Sequence, residues 1–354
     1  MMDFDIIQYK SDYKEGVISL LQFLWKDLDD IQREKLFEWK YENNPNTDTV
    51  VAFIALVNNR VVCFRGWFIQ KFCYNDKVFS VASASDAITH PDYQRKGLFE
   101  KTSKASFNYF EKNCSFIGHL NISSNNLSAN GNIKLGWAPI ALKKHLYLIK
   151  PGYFFLNLLS GRNSINNLKI EKKNINKKDK YEITDKVYSK DIERLSTKNR
   201  QKNVLVNVKD NTFYNWRFNN PVAHYFFAYL WELDTLTSFI AFSFINHNSI
   251  SIVDYNFDKF EDFRFLLKTV SKNIKPSYIN ILNVTLDFSF IKNFKSMGFL
   301  PFKDYFNFIR QPNYLPVLFR PNSQKCDNED FIFEGINLKD IKNWYISEID
   351  ADGA

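Results

Sequence analysis

Hydrophobic positions along this chain recur with two periods, and their order predicts a sequence of elements. Leu20, Leu21, Phe23, Leu24 and Leu28 return at three- and four-residue spacing among charged neighbours, which predicts a helix over 17–41. Two β-prone runs, 50–56 and 60–70, flank Asn58-Asn59, a hairpin signal. A further strand is predicted over 77–89. Phe99, Ala105, Phe107 and Phe110 then supply much of the apolar face of a helix over 98–113. The run 115–122 is strand-like, and 126–135 reads as a short helix closed by Gly136. This order predicts an α+β fold around a mixed, mostly antiparallel sheet flanked by helices.

The pattern repeats. The phrase Phe37-Glu38-Trp39-Lys40-Tyr41-Glu42-Asn43-Asn44-Pro45 returns as Phe213-Tyr214-Asn215-Trp216-Arg217-Phe218-Asn219-Asn220-Pro221, one residue shorter between Trp and Pro. Each copy leads into apolar strands, and each half closes on a similar phrase, Lys134-Leu135-Gly136-Trp137 and Ser296-Met297-Gly298-Phe299. Two anchors in the same order predict a duplicated domain. The expected division is a first domain over 1–150, a linker with a basic insertion over 151–205, and a second domain over 206–354.

Composition narrows the function. The 354 residues are 45% apolar and 17% aromatic, with 35 Phe, which is a globular composition. No run is long and uncharged enough for a membrane span, and the start of the chain, Met1-Met2-Asp3-Phe4-Asp5, has no basic signal-peptide region. Cys63, Cys73, Cys114 and Cys326 lack metal or disulfide spacing, so a reducing cytoplasm is the expected location. The five histidines are scattered, and no metal site is expected. The net charge of +8 calls for anionic partners. Much of the excess lies over 167–202, in Lys169, Lys172, Lys173, Lys177, Lys178 and Lys180. Without interleaved aromatics that stretch is expected to be a solvated surface, not a nucleic-acid site.

The candidate chemistry begins where the 77–89 strand ends. Thr89-His90-Pro91-Asp92-Tyr93 turns into Gln94-Arg95-Lys96-Gly97-Leu98-Phe99, and a helix follows. Strand, glycine-containing basic loop and helix N-terminus together aim backbone N–H groups and positive charge at one point, as a pyrophosphate requires. The corresponding stretch of the second half, around Phe257-Asp258-Lys259-Phe260-Glu261-Asp262, lacks glycine and adds acid, so one such site is expected.

These residues resemble the GNAT acyltransferase superfamily, whose pyrophosphate loop is Gln/Arg-x-x-Gly-x-Gly/Ala. Gln94 to Gly97 match it, and Phe99 stands where a small residue is usual. The Trp-Lys-Tyr…Asn-Pro phrase, together with Asn343-Trp344-Tyr345-Ile346…Asp350-Ala351-Asp352-Gly353, is similar to a tandem-GNAT branch of bacterial surface-polysaccharide (O-antigen or capsule) biosynthesis. That resemblance implies acyl-CoA as co-substrate, an acetyl or 3-hydroxybutanoyl group, and a dTDP- or UDP-linked amino sugar as acceptor. It implies that Gln94, Arg95, Lys96, Gly97, Leu98 and Phe99 hold the CoA pyrophosphate. Ala87, Ile88 and Thr89 would pair with the pantetheine arm beside a splayed strand over 116–121, and Asn125 would touch CoA. The Tyr that commonly protonates the leaving thiolate is replaced by Asn132 and, in the second half, by Phe294. The same superfamily also acylates protein, peptide and aminoglycoside amines, and a degenerate copy could only bind acyl-CoA.

Candidates for the amine's base are Asp86, on the strand expected to carry the acyl group, and His119 on the neighbouring strand. A carboxylate in Asp86's position also serves to cap a turn or pair with a cation, and a His within an apolar strand is more often structural. Ser123 is a candidate to orient substrate or relay a proton, or to cap the next helix. Trp39, Tyr41, Arg65 and Arg217 are candidates for the acceptor's base, sugar and diphosphate, in a crevice between the halves. The thiols have no visible activating partner, so direct transfer is expected. Monomer and homodimer both stay open.

Overall fold

The computed structural model describes residues 3–160, 163–176, 178–282, 284–285, 288–301 and 314–351. Lys177, Asp352 and Gly353 lie outside them. The first half runs β1 (Asp5–Gln8), α1 (Lys14–Leu21), α2 (Asp30–Phe37), β2 (Ala52–Val57), β3 (Arg60–Tyr74), β4 (Lys77–Thr89), α3 (Leu98–Asn113), β5 (Phe116–Asn121), α4 (Asn126–Ile133), β6 (Ala138–Leu142) and β7 (His145–Ile149). After α5 (Pro151–Ser160) come β8 (Glu171–Asn174), β9 (Asp179–Thr184), α6 (Ser189–Lys198), β10 (Leu205–Asn207), α7 (Asn211–Phe218), β11 (Phe226–Glu232), β12 (Thr235–Asn246) and β13 (Ser249–Phe257). The chain continues through α8 (Phe260–Ile274), β14 (Tyr278–Leu282), α9 (Phe288–Ser296), β15 (Leu300–Pro301), β16 (Pro316–Pro321), β17 (Ile332–Phe333), β18 (Ile336–Asn337) and β19 (Trp344–Tyr345).

Local chemistry explains most boundaries. Asn58 and Asn59 both take positive φ, 47° and 63°, in the two-residue turn between β2 and β3. The helix expected over 17–41 is broken: α1 ends at Leu21, and Asp29 starts α2 through a capping box with Gln32. A π-helical turn, Glu38–Glu42, then carries the first copy of the repeated phrase. Gly136 takes φ +86° just beyond α4.

Two mixed sheets result, ordered β1-β2-β3-β4-β5-β16-β6 and β15-β7-β14-β13-β12-β11-β9-β8. The halves correspond element by element, β2-β3-β4-α3-β5-α4-β6-β7 with β11-β12-β13-α8-β14-α9-β15-β16. In each, the two strands joined by the long helix are parallel: β4 with β5 through α3, and β13 with β14 through α8. The last strands are exchanged. β16 lies between β5 and β6, pairing Leu318 with Asn121 and Pro139, whereas β7 lies between β14 and β15, pairing Leu146 with Ile281 and Pro301. The segment expected as a linker over 151–205 supplies β8 and β9 to the second sheet. Its lysines 172, 173 and 180 are ion-paired with Glu182, Glu171 and Asp234.

The repeated phrases meet. Trp39 and Trp216 stack at 5.0 Å and 14°, and each indole Nε1 donates to the other's backbone carbonyl at 2.8 Å. They are buried with Leu36, Phe68, Phe213 and Ile349. Trp39, expected to touch the acceptor, is therefore a joint between the halves, because its faces and its one polar atom are already engaged. Replacing Trp39 with Ala removes the stack and leaves a cavity, and is expected to cost about 3–5 kcal/mol of stability in urea unfolding.

His119, on β5, is fully buried against the rings of Trp67, Phe107 and Phe110, with centroids 5.1–5.2 Å away. Burial, and then the charges of Arg320 and Arg65, hold its pKa well below the ordinary value. It is a neutral core residue and not a base facing the cleft. Because the unfolded chain binds that proton near pH 6.5 and the folded chain does not, His119 makes stability fall as pH drops below that value. Its ring resonances are expected to stay unshifted in NMR spectra between pH 8 and 5.5; an inflection near 6.5 would contradict this placement.

Candidate active site

β4 is paired on one side with β3 as far as Thr89, but on the other side with β5 only over residues 80–83. Beyond Ser83 the strands part, so residues 84–89 present an open sheet edge. A bulge interrupts the β3–β4 ladder between Arg65 and Trp67, so that Ser85 and Asp86 stand opposite Gly66 alone. Gly66 is required there by close approach: a Cβ would lie 2.3 Å from the Tyr41 hydroxyl. The expected open strand and its splayed neighbour are both present.

The open edge leads into the glycine loop. Gly97 caps α3 with φ +74°, and no atom lies within 4 Å of where its Cβ would be. Conformation alone therefore requires glycine here. Arg95 also takes positive φ, 61°, and no side chain caps the N-terminus of α3. The first amides of that helix are left for an external acceptor. Arg95 and Lys96 are exposed beside the loop, with the Lys96 ammonium 4.9 Å from the Tyr93 ring centre. Phe99 packs its ring close to Gly131 and below the Arg65 guanidinium, 5.3 Å away, which accounts for the large residue at a position that is usually small.

Between the parted strands lies a cavity of about 460 Å³. Ser85, Asp86 and Ala87 line one wall, Asn121, Ser123, Asn125 and Ser128 the other, and residues 24–28 lie over it, with Lys40 and Arg65 also in the lining. Asp86 accepts from three donors: Lys40 Nζ at 2.9 Å, Tyr41 OH at 2.7 Å and Trp25 Nε1 at 3.3 Å. A carboxylate has about four acceptor positions, so one remains for a ligand. Tyr41 is thus spent on Asp86 and on Ser85, 3.0 Å from its hydroxyl. Asn125 caps α4 by accepting from the Ser128 amide at 2.8 Å while its residue lines the cavity. Lys40 and Trp25, which sequence reasoning passed over, share the anchoring of Asp86. Lys40's place between Trp39 and Tyr41 in the repeated phrase was the available signal.

A second cavity, of about 1050 Å³, lies between the halves and shares Ser123 and Val222 with the first. Lys143, His145, His224, His247, Asn280 and Glu348 are among its lining residues. Burial raises the Glu348 carboxyl, but the His145 hydrogen bond at 3.3 Å and the Lys143 charge at 3.2 Å prevail and hold it at about 2. Arg217 borders this cavity but is 2% exposed, and donates to the Ile349 and Ala351 carbonyls and the Tyr225 hydroxyl. Its fork is committed to the chain's own carbonyls and is unsuited to a diphosphate. Arg65 is likewise 2% exposed, stacked 4.7 Å from the Trp67 ring, and reaches the smaller cavity, not the larger.

The second half has the same splay, since β13 pairs with β14 only over 249–252. Here Lys209 and Asp254 form a buried ion pair at 2.9 Å, and Tyr345 and Phe290 line the remaining space of about 320 Å³. The turn before α8 has no positive-φ residue, and Glu261 and Asp262 occupy the helix's first turn.

No protein-family model matches the sequence, and comparison with curated protein sequences found no match. Solved structures do match. A conserved Enterococcus faecalis protein described as a probable N-acyltransferase superposes with a TM-score of 0.63 at 8% identity, covering 94% of this chain and 76% of that one. A tandem GNAT protein from the clavulanic acid biosynthesis pathway gives 0.53 at 9% identity, over 91% of this chain and 99% of that one. Saccharomyces cerevisiae N-myristoyltransferase with bound myristoyl-CoA gives 0.52 at 13% identity, over 91% and 83%. With two corresponding sheets and parted parallel strands in each, the chain has the GNAT fold in two tandem copies.

Proposed function

We propose that this protein is an acyl-CoA-dependent N-acyltransferase that acylates the amino group of a nucleotide-linked amino sugar. The observation that carries the proposal is the open edge of β4, running from Ala84 to Thr89 and into the uncapped N-terminus of α3 through Gly97. An extended pantetheine arm adds to such an edge as a strand would, through Ala87, Ile88 and Thr89. The pyrophosphate accepts from the amides of residues 94–99, with Arg95 and Lys96 adding charge. Backbone N–H groups next to the bulge, over Asp86 to Ile88, polarise the thioester carbonyl.

The acceptor occupies the larger cavity and reaches the donor past Ser123, which lines both. His224 and His247, with the N–H donors that Lys143 keeps beside its bond to Glu348, are suited to a diphosphate, a role that Arg217 does not fill. The amine nitrogen bonds to the thioester carbon as the C–S bond breaks. Asp86 receives the amine's proton on its remaining acceptor position, and the CoA thiolate takes one from solvent, since Asn132 replaces the usual phenol. The donor acyl group is acetyl or 3-hydroxybutanoyl.

The test is product mass after incubation with a panel of acyl-CoAs and amines that includes dTDP- and UDP-linked amino sugars. Failure of every amino sugar alongside turnover of another amine would overturn the acceptor class. Calorimetric titration tests the donor site: Gly97→Val is expected to weaken acyl-CoA binding roughly tenfold or more, as strain at φ +74° rearranges the loop amides. Undiminished binding would remove the loop from the site. Asp86→Asn is expected to lower kcat about 100-fold near neutral pH while acyl-CoA still binds. Part of that loss should return at high pH, where the amine deprotonates unaided. A pH-independent loss would reduce Asp86 to a structural partner of Lys40.

A further inference from the structure

Helix α5 is inside out. Its buried polar residue, Asn157, donates to the hydroxyls of Ser164 and Ser277 and to the Lys275 carbonyl, at 3.0–3.3 Å. Four of its large apolar side chains are exposed: Phe154 by 41%, Phe155 by 59%, Leu156 by 49% and Leu159 by 86%. Folding places water against these side chains, which disfavours the arrangement unless something apolar covers them. The polar anchor fixes the orientation, so the outward face is a consequence of the fold and not of fraying.

The surface beside this face is cationic. The start of α5 forms one side of a cavity of about 660 Å³, lined by Lys150, Tyr153, Arg264, Lys268 and Lys272, with no carboxylate among its described lining residues. Burial and the like charge of Lys268 lower the pKa of Lys150. These cations contrast with Lys172, Lys173 and Lys180, which already have acidic partners. Aromatic and aliphatic side chains facing outward beside a pocket of uncompensated positive charge complement one kind of surface, an anionic bilayer interface.

We infer that α5 is a membrane-surface anchor, seating Phe154, Phe155 and Leu159 among acyl chains while Lys150, Arg264, Lys268 and Lys272 meet anionic phospholipid headgroups. No helix among the described residues is long and apolar enough to cross a membrane, so the attachment is peripheral. This anchor is independent of the acyltransferase proposal: its site lies on α5 and α8, away from β4 and α3.

The test is co-sedimentation of the full chain with vesicles of phosphatidylcholine alone, and with a quarter of the lipid replaced by phosphatidylglycerol. Binding is expected on the anionic vesicles, to weaken with added salt, and to be at least about tenfold weaker on the neutral ones. Phe155→Ser with Leu159→Ser, and separately Lys268→Glu with Lys272→Glu, are each expected to reduce binding roughly tenfold or more. All four side chains lie at the surface, and circular dichroism checks that both variants fold. No sedimentation of the wild type with anionic vesicles, or undiminished binding by either variant, would overturn the inference. So would a dimer in analytical ultracentrifugation that dissociates in Phe155→Ser/Leu159→Ser without any vesicle binding, since that would assign the face to a second copy. Inorganic phosphate that displaced the protein at unchanged ionic strength would assign the cations to a free anion and overturn it equally.

Discussion

The exchange of β7 and β16 between the sheets is the constraint on which the other features rest. Neither half completes its own sheet: β5 is covered on its outer edge by a strand from nearly 200 residues later, and β14 by β7. This clamp also shapes the cleft. β16 holds β5 from Gly118 to Asn121, while β5's inner edge leaves β4 after Leu120. Gly118 shows how tight the clamp is, since a Cβ there would lie 2.4 Å from Phe319 and 2.5 Å from the Arg320 carbonyl. The parted strands are thus a rigid feature, fixed from the side away from the opening.

The joint between Trp39 and Trp216 is the second consequence of pairing two copies face to face. Each indole satisfies the other's backbone, so two buried donors and two buried acceptors vanish together at the place where the copies meet. The residues following each Trp then diverge. Lys40 turns to Asp86 in the smaller cavity, whereas Arg217 turns to the carbonyls of Ile349 and Ala351 and ties down the end of the chain. A near-symmetric joint therefore serves two unlike neighbourhoods.

Unequal filling of equal splays separates the copies. In the first, the open edge meets a left-handed glycine and bare helix amides. In the second, Lys209 is buried, and though burial opposes its charge, Asp254 and Asp350 raise its pKa. Such a pair is costly to break, because either partner alone would be an uncompensated buried charge, worth about 3–5 kcal/mol. The second cleft is accordingly narrowed by this ion pair and by the rings of Tyr345 and Phe290 to about 320 Å³, against about 460 Å³ in the first.

Much of this was legible locally. Residues 77–89 and 98–113 form the strand and helix that their periodicity predicts, Asn58 and Asn59 make the turn, and the repeated Trp phrase marks a real duplication. These features depend on neighbours a few positions away, so the sequence by itself determined them, together with the glycine loop and its absence from the second half. What only the tertiary structure decided involves partners far apart in the chain. His119 lies on the predicted strand, yet the rings of Trp67, Phe107 and Phe110 close around it. Arg217 has the fork for a phosphate, yet carbonyls 132 and 134 residues away take its donors. Side-chain chemistry can be read from residue type, but its availability is set by what the folded chain packs against it, and those partners lie far along the chain, beyond the reach of any local pattern.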